Sequence, residues 1–189
     1  ELHEFARFEG FRLGEPEALV AFVQQVGAGT PEARAEAAAT AGSILEDGAL
    51  IAESEGRAED AARLSERGAE ALARALAADD APTSRMELAA RRGRCLVQAG
   101  RLHLSRALEQ LPLAGLDSVR ADLAAAERLY GDALEQQPDD PKAHAGLAQA
   151  ADAWYQAGDL PGVRDAFGRL ARRFKVSALV ILRRIHDAD

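Results

Sequence analysis

The sequence predicts an all-α fold, and three observations lead to that prediction. Alanine, the strongest helix former, accounts for 43 of the 189 residues, and Leu, Glu, Arg and Gln supply much of the rest. Aromatic residues make up only 5% of the chain and β-branched residues are scarce, whereas strands favour both types. Glycine and proline interrupt the chain at short intervals. The helices should therefore be joined by short connections and pack as antiparallel neighbours.

Residues with known helix-start and helix-stop preferences bound the predicted elements. Thr30 is a suitable N-cap and Pro31 a suitable first residue for a long helix that ends near Gly56. Pro16 opens the segment before it, and the run Pro138 to Pro141 stops one helix and starts another. We expect eight or nine helices in total. The predicted segments after Gly56 span about 58–78, 85–99, 102–111, 117–137, 142–157, 161–173 and 176–186.

The first fifteen residues differ from the rest of the chain. Phe5, Phe8 and Phe11 stand three residues apart, which places them on one face of a helical turn, although Gly10 and Gly14 weaken that turn. We interpret residues 1–15 as a short helix or an ordered arm that docks on the core.

Charge and composition restrict the function. The net charge of −8 and the pI of about 5.1 argue against nucleic-acid binding by the surface as a whole. The single cysteine, Cys95, cannot form an internal disulfide, and we expect it to be a buried structural thiol. No apolar run is long enough to span a membrane, and no signal peptide is evident. We therefore expect a soluble, cytoplasmic protein. Because residue 1 is Glu, a fragment or a processed product of a longer chain is also consistent with the sequence.

A repeat-like pattern occurs in the second half of the chain. Ala126, Tyr130, Ala133 and Pro138 place a small residue at a helix crossing, a ring one turn later and a proline at the helix end. This spacing resembles the second helix of a tetratricopeptide repeat (TPR).

The segment that follows resembles a second TPR unit. Its first helix carries Leu147, Ala150, Ala151 and Trp154, its turn is 157–160, and its second helix carries Val163, Phe167 and Leu170. The resemblance covers residues 120–175 and implies an α-solenoid of antiparallel helix pairs. It predicts degenerate helical-pair units over 16–119 and a capping helix over 176–189. The alternative architecture is an irregular helical bundle.

No residue pattern indicates catalysis, so we predict that the chain is not an enzyme and has no metal or cofactor. The string from His3 to Arg7 approaches the zinc-protease motif, but Arg7 stands where the second histidine ligand is needed, and a guanidinium does not bind zinc. His103, His144 and His186 are isolated in sequence, and we interpret them as solvated or helix-terminal side chains.

The C-terminal segment is basic within an acidic chain. Residues 169–189 hold six basic and two acidic residues; the basic ones are Arg169, Arg172, Arg173, Lys175, Arg183 and Arg184. The segment has spacings similar to a helix-turn-helix. However, Leu179, Val180 and Leu182 would face DNA where polar side chains are needed. A buried capping helix is therefore the preferred interpretation, and nucleic-acid binding is disfavoured.

These observations favour a non-catalytic adaptor or scaffold that holds a partner's peptide or helix on a concave face. First helices of TPR pairs line that face, so the resemblance implies Asp152, Tyr155 and Gln156 as ligand-binding residues. Trp154, on the opposite face, is predicted to lie in the core. One alternative is a transcriptional or signalling regulator that uses the basic C-terminal segment. The other is a docking or oligomerisation domain of a larger chain.

Overall fold

The computed structural model describes residues 16–78, 84–114, 116–158 and 168, and all regular structure within these ranges is helical. The predicted all-α class is thus confirmed for the described residues. The predicted arm at 1–15 and capping helix at 176–189 lie outside them, as do Val163, Phe167 and Leu170. The described helices are α1 Pro16–Val26, α2 Pro31–Ser54, α3 Ala58–Leu76, α4 Arg85–Ala114, α5 Leu116–Gln136 and α6 Pro141–Gln156.

The predicted break at Gly100 is wrong, because α4 runs without interruption from Arg85 to Ala114. Gly100 serves packing instead: a Cβ at this position would lie 3.2 Å from Cε1 and Cζ of Tyr130, so the glycine makes room for the ring. Pro112 does not end α4 either, since it lies inside the last turn. The two helices predicted over 85–99 and 102–111 are therefore one, and the described residues do not support a count of eight or nine.

The predicted helix starts are confirmed where the caps are described. The Thr30 hydroxyl accepts a hydrogen bond from the backbone N–H of Ala33 at 3.2 Å, with Pro31 at the first helical position. The Asp140 carboxylate accepts a hydrogen bond from the backbone N–H of Lys142 at 2.8 Å, and Pro141 is the first residue of α6. Each cap satisfies backbone donors that the first turn would otherwise leave without partners.

Consecutive helices pack against each other as antiparallel neighbours. Gly42 of α2 faces Leu72 of α3, and Gly68 of α3 faces Leu45 of α2, so residue numbers fall along one helix as they rise along the other. The same reversal relates α4 to α5, where Gly93 lies beside Gln137, just after α5, and Gly100 faces Tyr130. The glycines and alanines allow these helices to approach closely.

Helices two apart in the chain are joined by polar side chains. Arg94 of α4 donates to Glu46 of α2 at 2.8 Å, and Gln98 donates to Glu53 at 3.0 Å. The side chain of Glu46 is largely covered by its neighbours and is ion-paired with Arg94. The near-constant sequence offset across these pairs shows that α2 and α4 run parallel.

The apolar side chains form two clusters. The first cluster consists of residues from α1, α2 and α3, together with Leu102 of α4. The second cluster consists of residues from α3, α4, α5 and α6, including Cys95, together with Ala39 of α2. Ile51 of α2 is 39% exposed and belongs to neither cluster.

Candidate binding surface

Helix α6 has two distinct faces, and the predicted ligand-binding residues lie on the outer one. Its inner face buries Gly146, Leu147, Ala150, Ala151 and Trp154, among others. Its outer face carries Asp152, Tyr155 and Gln156, all exposed. The inner residues recur at three and four positions, which turns the remaining positions towards solvent.

The inner face is anchored by two aromatic side chains. Trp154 is only 5% exposed and Arg120 of α5 lies over its ring, with the guanidinium carbon 5.9 Å from the ring centre. Tyr130 of α5 fills the space beside Gly146, and its burial raises the pKa of its hydroxyl to about 12. The predicted burial of Trp154 is confirmed, which fixes the rotation of α6 about its axis.

The structure brings the three predicted residues together. Gln156 donates a hydrogen bond from Nε2 to Oδ2 of Asp152 at 2.6 Å, across one helical turn. Tyr155 stands beside this pair with 64% of its surface exposed. A flat amphipathic ring next to a fixed amide–carboxylate pair provides apolar contact area, a donor and an acceptor on one small surface.

A polar network that the sequence did not reveal joins α3, α4 and α5. His103 Nδ1 lies 2.7 Å from Oδ1 of Asp122, and His103 Nε2 lies 2.8 Å from Oε1 of Glu66. Arg106 donates from Nε to Oδ2 of Asp122 at 2.7 Å, and Arg128 pairs with Glu66 at 3.4 Å. Each ring nitrogen of His103 thus lies within hydrogen-bond distance of a carboxylate from a different helix, so the imidazole links α3 to α5.

Asp122 is the buried centre of the network and is 6% exposed. Burial alone would raise the pKa of its carboxyl group. The hydrogen bonds from Arg106 and His103 outweigh that effect and hold the pKa below its ordinary value of 3.8. The carboxylate therefore stays ionised at neutral pH and ties α5 to α4.

The interpretation of His103 as a solvated or helix-terminal residue is wrong, because its ring lies between two carboxylates in a largely buried position. His144 is helix-terminal as expected, with Nε2 2.8 Å from the carbonyl oxygen of Pro138. Cys95 is buried as expected, and burial raises the pKa of its thiol to about 12, so it is a poor nucleophile at neutral pH.

Comparison with known proteins leaves the family open. No protein-family model matches the sequence, and a search of curated proteins finds no match. The resemblance to TPR units therefore stays a prediction.

The described part of the chain restricts two further classes of site. Over residues 16–78, 84–114 and 116–158, no group of three or more His, Cys, Asp or Glu side chains is arranged to hold a metal ion. Within the same ranges, no helix combines the length and the apolar character needed to cross a membrane. The basic residues Arg169, Arg172, Arg173, Lys175, Arg183 and Arg184 lie outside the described residues.

Proposed function

We propose that the chain is a non-catalytic interaction module that binds a peptide or helix of a partner protein on the outer face of α6. The observation that supports this proposal is the exposure of Tyr155 beside the hydrogen-bonded pair Asp152 and Gln156. Trp154, one position earlier, is buried, so the rotation of α6 is fixed by its core and Tyr155 is held at the surface. Tyrosine is among the residue types that contribute most to binding energy in protein interfaces.

The architecture that we propose for this module is a TPR-like array of antiparallel helix pairs. It is supported by the packing of each described helix against its chain neighbours and by Tyr130 of α5 filling the space beside Gly146 of α6. A stack of this kind offers a long rigid surface, which suits recognition without a large conformational change.

The proposal is tested by affinity capture with the full chain and with single-residue variants. Purified wild type, Tyr155→Ala and Met86→Ala are each used as bait, and the bound proteins are identified by mass spectrometry. Met86 is a matched control because it is a large apolar residue that is highly exposed on α4. We expect a partner that wild type and Met86→Ala retain and that Tyr155→Ala loses.

Two outcomes would contradict the proposal. A partner that Tyr155→Ala retains at the wild-type level would place the binding surface elsewhere on the chain. Size-exclusion chromatography over a hundredfold range of concentration provides the second criterion. If the chain grows in apparent size with concentration, and Tyr155→Ala abolishes that growth, the face is a self-association surface and the docking or oligomerisation function replaces the adaptor.

A further inference from the structure

A separate groove lies between the ends of α1, α2 and α3, in a part of the fold that α6 does not contribute to. Its volume is about 540 Å³ and it is open to solvent rather than enclosed. Its lining includes Gly27 at the end of α1, Arg34 and Ala37 in the first turns of α2, and Arg74 and Ala77 at the end of α3. Volumes of this size are typical of ligand sites, so the groove can hold several side chains of a bound segment.

The floor of the groove is apolar because it is made of small side chains. Ala35 and Ala37 are buried beneath it, while Ala77 and Ala78 lie along the edge that α3 supplies. Gly27 closes one end: a Cβ there would overlap the Cβ of Ala37, so the glycine lets α1 approach α2 closely. The groove is therefore a consequence of tight helix packing beside short side chains, and it accepts apolar groups of moderate size.

The rim of the groove is positively charged. Among the described residues, the guanidinium group of Arg34 donates to the carbonyl oxygen of Gly29 alone, at 3.3 Å, which leaves most of its N–H groups available. Within the described residues, the side chain of Arg74 forms neither a hydrogen bond nor an ion pair. Arg85 crosses the same end of α3 and donates to the carbonyl oxygen of Ala78 at 2.9 Å. Two guanidinium groups, those of Arg34 and Arg74, thus line the apolar groove, and no acidic residue of the described ranges lines it, in a chain whose net charge is −8.

From this arrangement we infer a second binding site, whose ligand is an acidic peptide segment of a partner protein with aliphatic side chains between two carboxylates. Arg34 and Arg74 line the groove from two different helices, α2 and α3, so each can pair with one carboxylate while the aliphatic groups rest on the alanines. The groove is open to solvent, which leaves room for the peptide chain to continue beyond it, as an enclosed cavity would not. This site is independent of Tyr155 and of the proposed function of α6.

The test uses nuclear magnetic resonance of the isotope-labelled full chain with two synthetic, blocked peptides, DLLE and NLLQ. The peptides match in length and shape and differ in the two negative charges. We expect DLLE to shift the backbone amide signals of Gly27, Ala35 and Ala77, and NLLQ to leave them unchanged. Arg74→Glu should weaken DLLE binding roughly tenfold or more, because it removes a charged hydrogen bond and adds repulsion.

Lys142→Glu is the matched control, since it makes the same charge change at an exposed residue of α6 that does not line the groove. It should leave DLLE affinity unchanged. Equal shifts with NLLQ, signals that move outside the groove, or no shifts with DLLE would overturn the inference. An equal loss of DLLE affinity in Arg74→Glu and Lys142→Glu would also overturn the inference. It would show that the peptide responds only to the overall charge of the protein. If Arg74→Glu does not fold, the affinity for DLLE is measured with Arg74→Gln instead. The comparison of DLLE with NLLQ on the wild type then provides the second measurement.

Discussion

At the scale of single residues, Trp154 and Tyr155 are neighbours with opposite surroundings. Trp154 is buried against α5, so its removal leaves a cavity lined by alanines that cannot extend to fill it. We expect Trp154→Ala to lower the free energy of unfolding by about 3–5 kcal/mol. The measurement is chemical denaturation followed by circular dichroism.

Tyr155→Ala is the matched control and should change the free energy of unfolding by less than about 0.5 kcal/mol, as exposed substitutions usually do. In the wild type, Trp154 fluorescence should peak at short wavelength and resist quenching by acrylamide. Easily quenched emission, or equal stability losses in the two variants, would mean that the rotation of α6 is not the one described here.

Two glycines in facing helices are expected to respond to substitution in opposite directions. A Cβ at Gly146 would overlap the ring of Tyr130, whereas a Cβ at Gly131 meets nothing within 4 Å. We expect Gly146→Ala to destabilise the protein by about 1–3 kcal/mol, because it forces a well-packed ring to move. Gly131→Ala should stabilise it by about 0.5–1 kcal/mol, since alanine is the better helix former. Thermal unfolding of both variants checks the two signs, and stabilisation by Gly146→Ala would contradict this packing.

At the scale of helices, the network around Asp122 makes the connection between α4 and α5 sensitive to acid. The pKa of Asp122 is lower in the folded protein than its ordinary value of 3.8. A group of this kind contributes stability that is fully present above pH 3.8 and is lost as the pH falls through the lower, folded value. Protonation neutralises the Asp122 carboxylate, which weakens its hydrogen bonds with Arg106 and His103.

Asp122→Asn should therefore cost about 1.5–3 kcal/mol of unfolding free energy at pH 7, the range for hydrogen bonds to charged groups. The difference between wild type and variant should shrink as the pH falls below 3.8, because the wild-type carboxyl group then becomes neutral too. Urea denaturation at a series of pH values measures this difference. Asp139→Asn, at an exposed carboxylate, is the control and should change the free energy of unfolding at pH 7 by less than about 0.5 kcal/mol. A constant penalty for Asp122→Asn across the range would exclude the charge as its cause.

The sequence predicts helix ends well where a local signal exists. Thr30 with Pro31, Asp140 with Pro141, and Gly56 all act within a few residues of the backbone that they affect. Gly100 was misinterpreted because glycine at a helix end and glycine beneath a ring look alike in sequence. Only Tyr130, thirty positions later and on another helix, distinguishes them.

The candidate sites, like the helix ends, are predictable from the sequence only where the residues concerned lie close together in the chain. Helical spacing placed Trp154 on the inner face of α6, and the resemblance to TPR first helices implied Asp152, Tyr155 and Gln156 as the exposed residues of the same helix. Glu66, His103 and Asp122 lie on three helices, and no local pattern links them. Arg34 and Arg74 likewise come together only through the packing of α2 and α3 beside α1. Sites of this second kind depend on tertiary contacts, which a single sequence does not reveal.

At the scale of the whole molecule, the two apolar clusters divide the fold along the chain. Leu45 belongs to the cluster of α1, α2 and α3, while Leu134 belongs to the cluster that extends to α6. Both side chains are almost completely buried, so the same substitution can be made in each cluster. Most contacts in the described residues join consecutive helices. In a stack with this contact pattern, stability is expected to be approximately a sum of local terms.

Leu45→Ala and Leu134→Ala should consequently destabilise different parts of the molecule. Each substitution removes buried methyl groups and costs about 2–5 kcal/mol in its own cluster. Native-state hydrogen exchange should show that Leu45→Ala lowers protection mainly in α1, α2 and α3, and that Leu134→Ala lowers it mainly in α5 and α6, with α1 unaffected. An irregular bundle with one cooperative core would instead lose protection equally in every helix for either variant. The pattern of amide protection across α1 and α6 therefore distinguishes the array from the bundle.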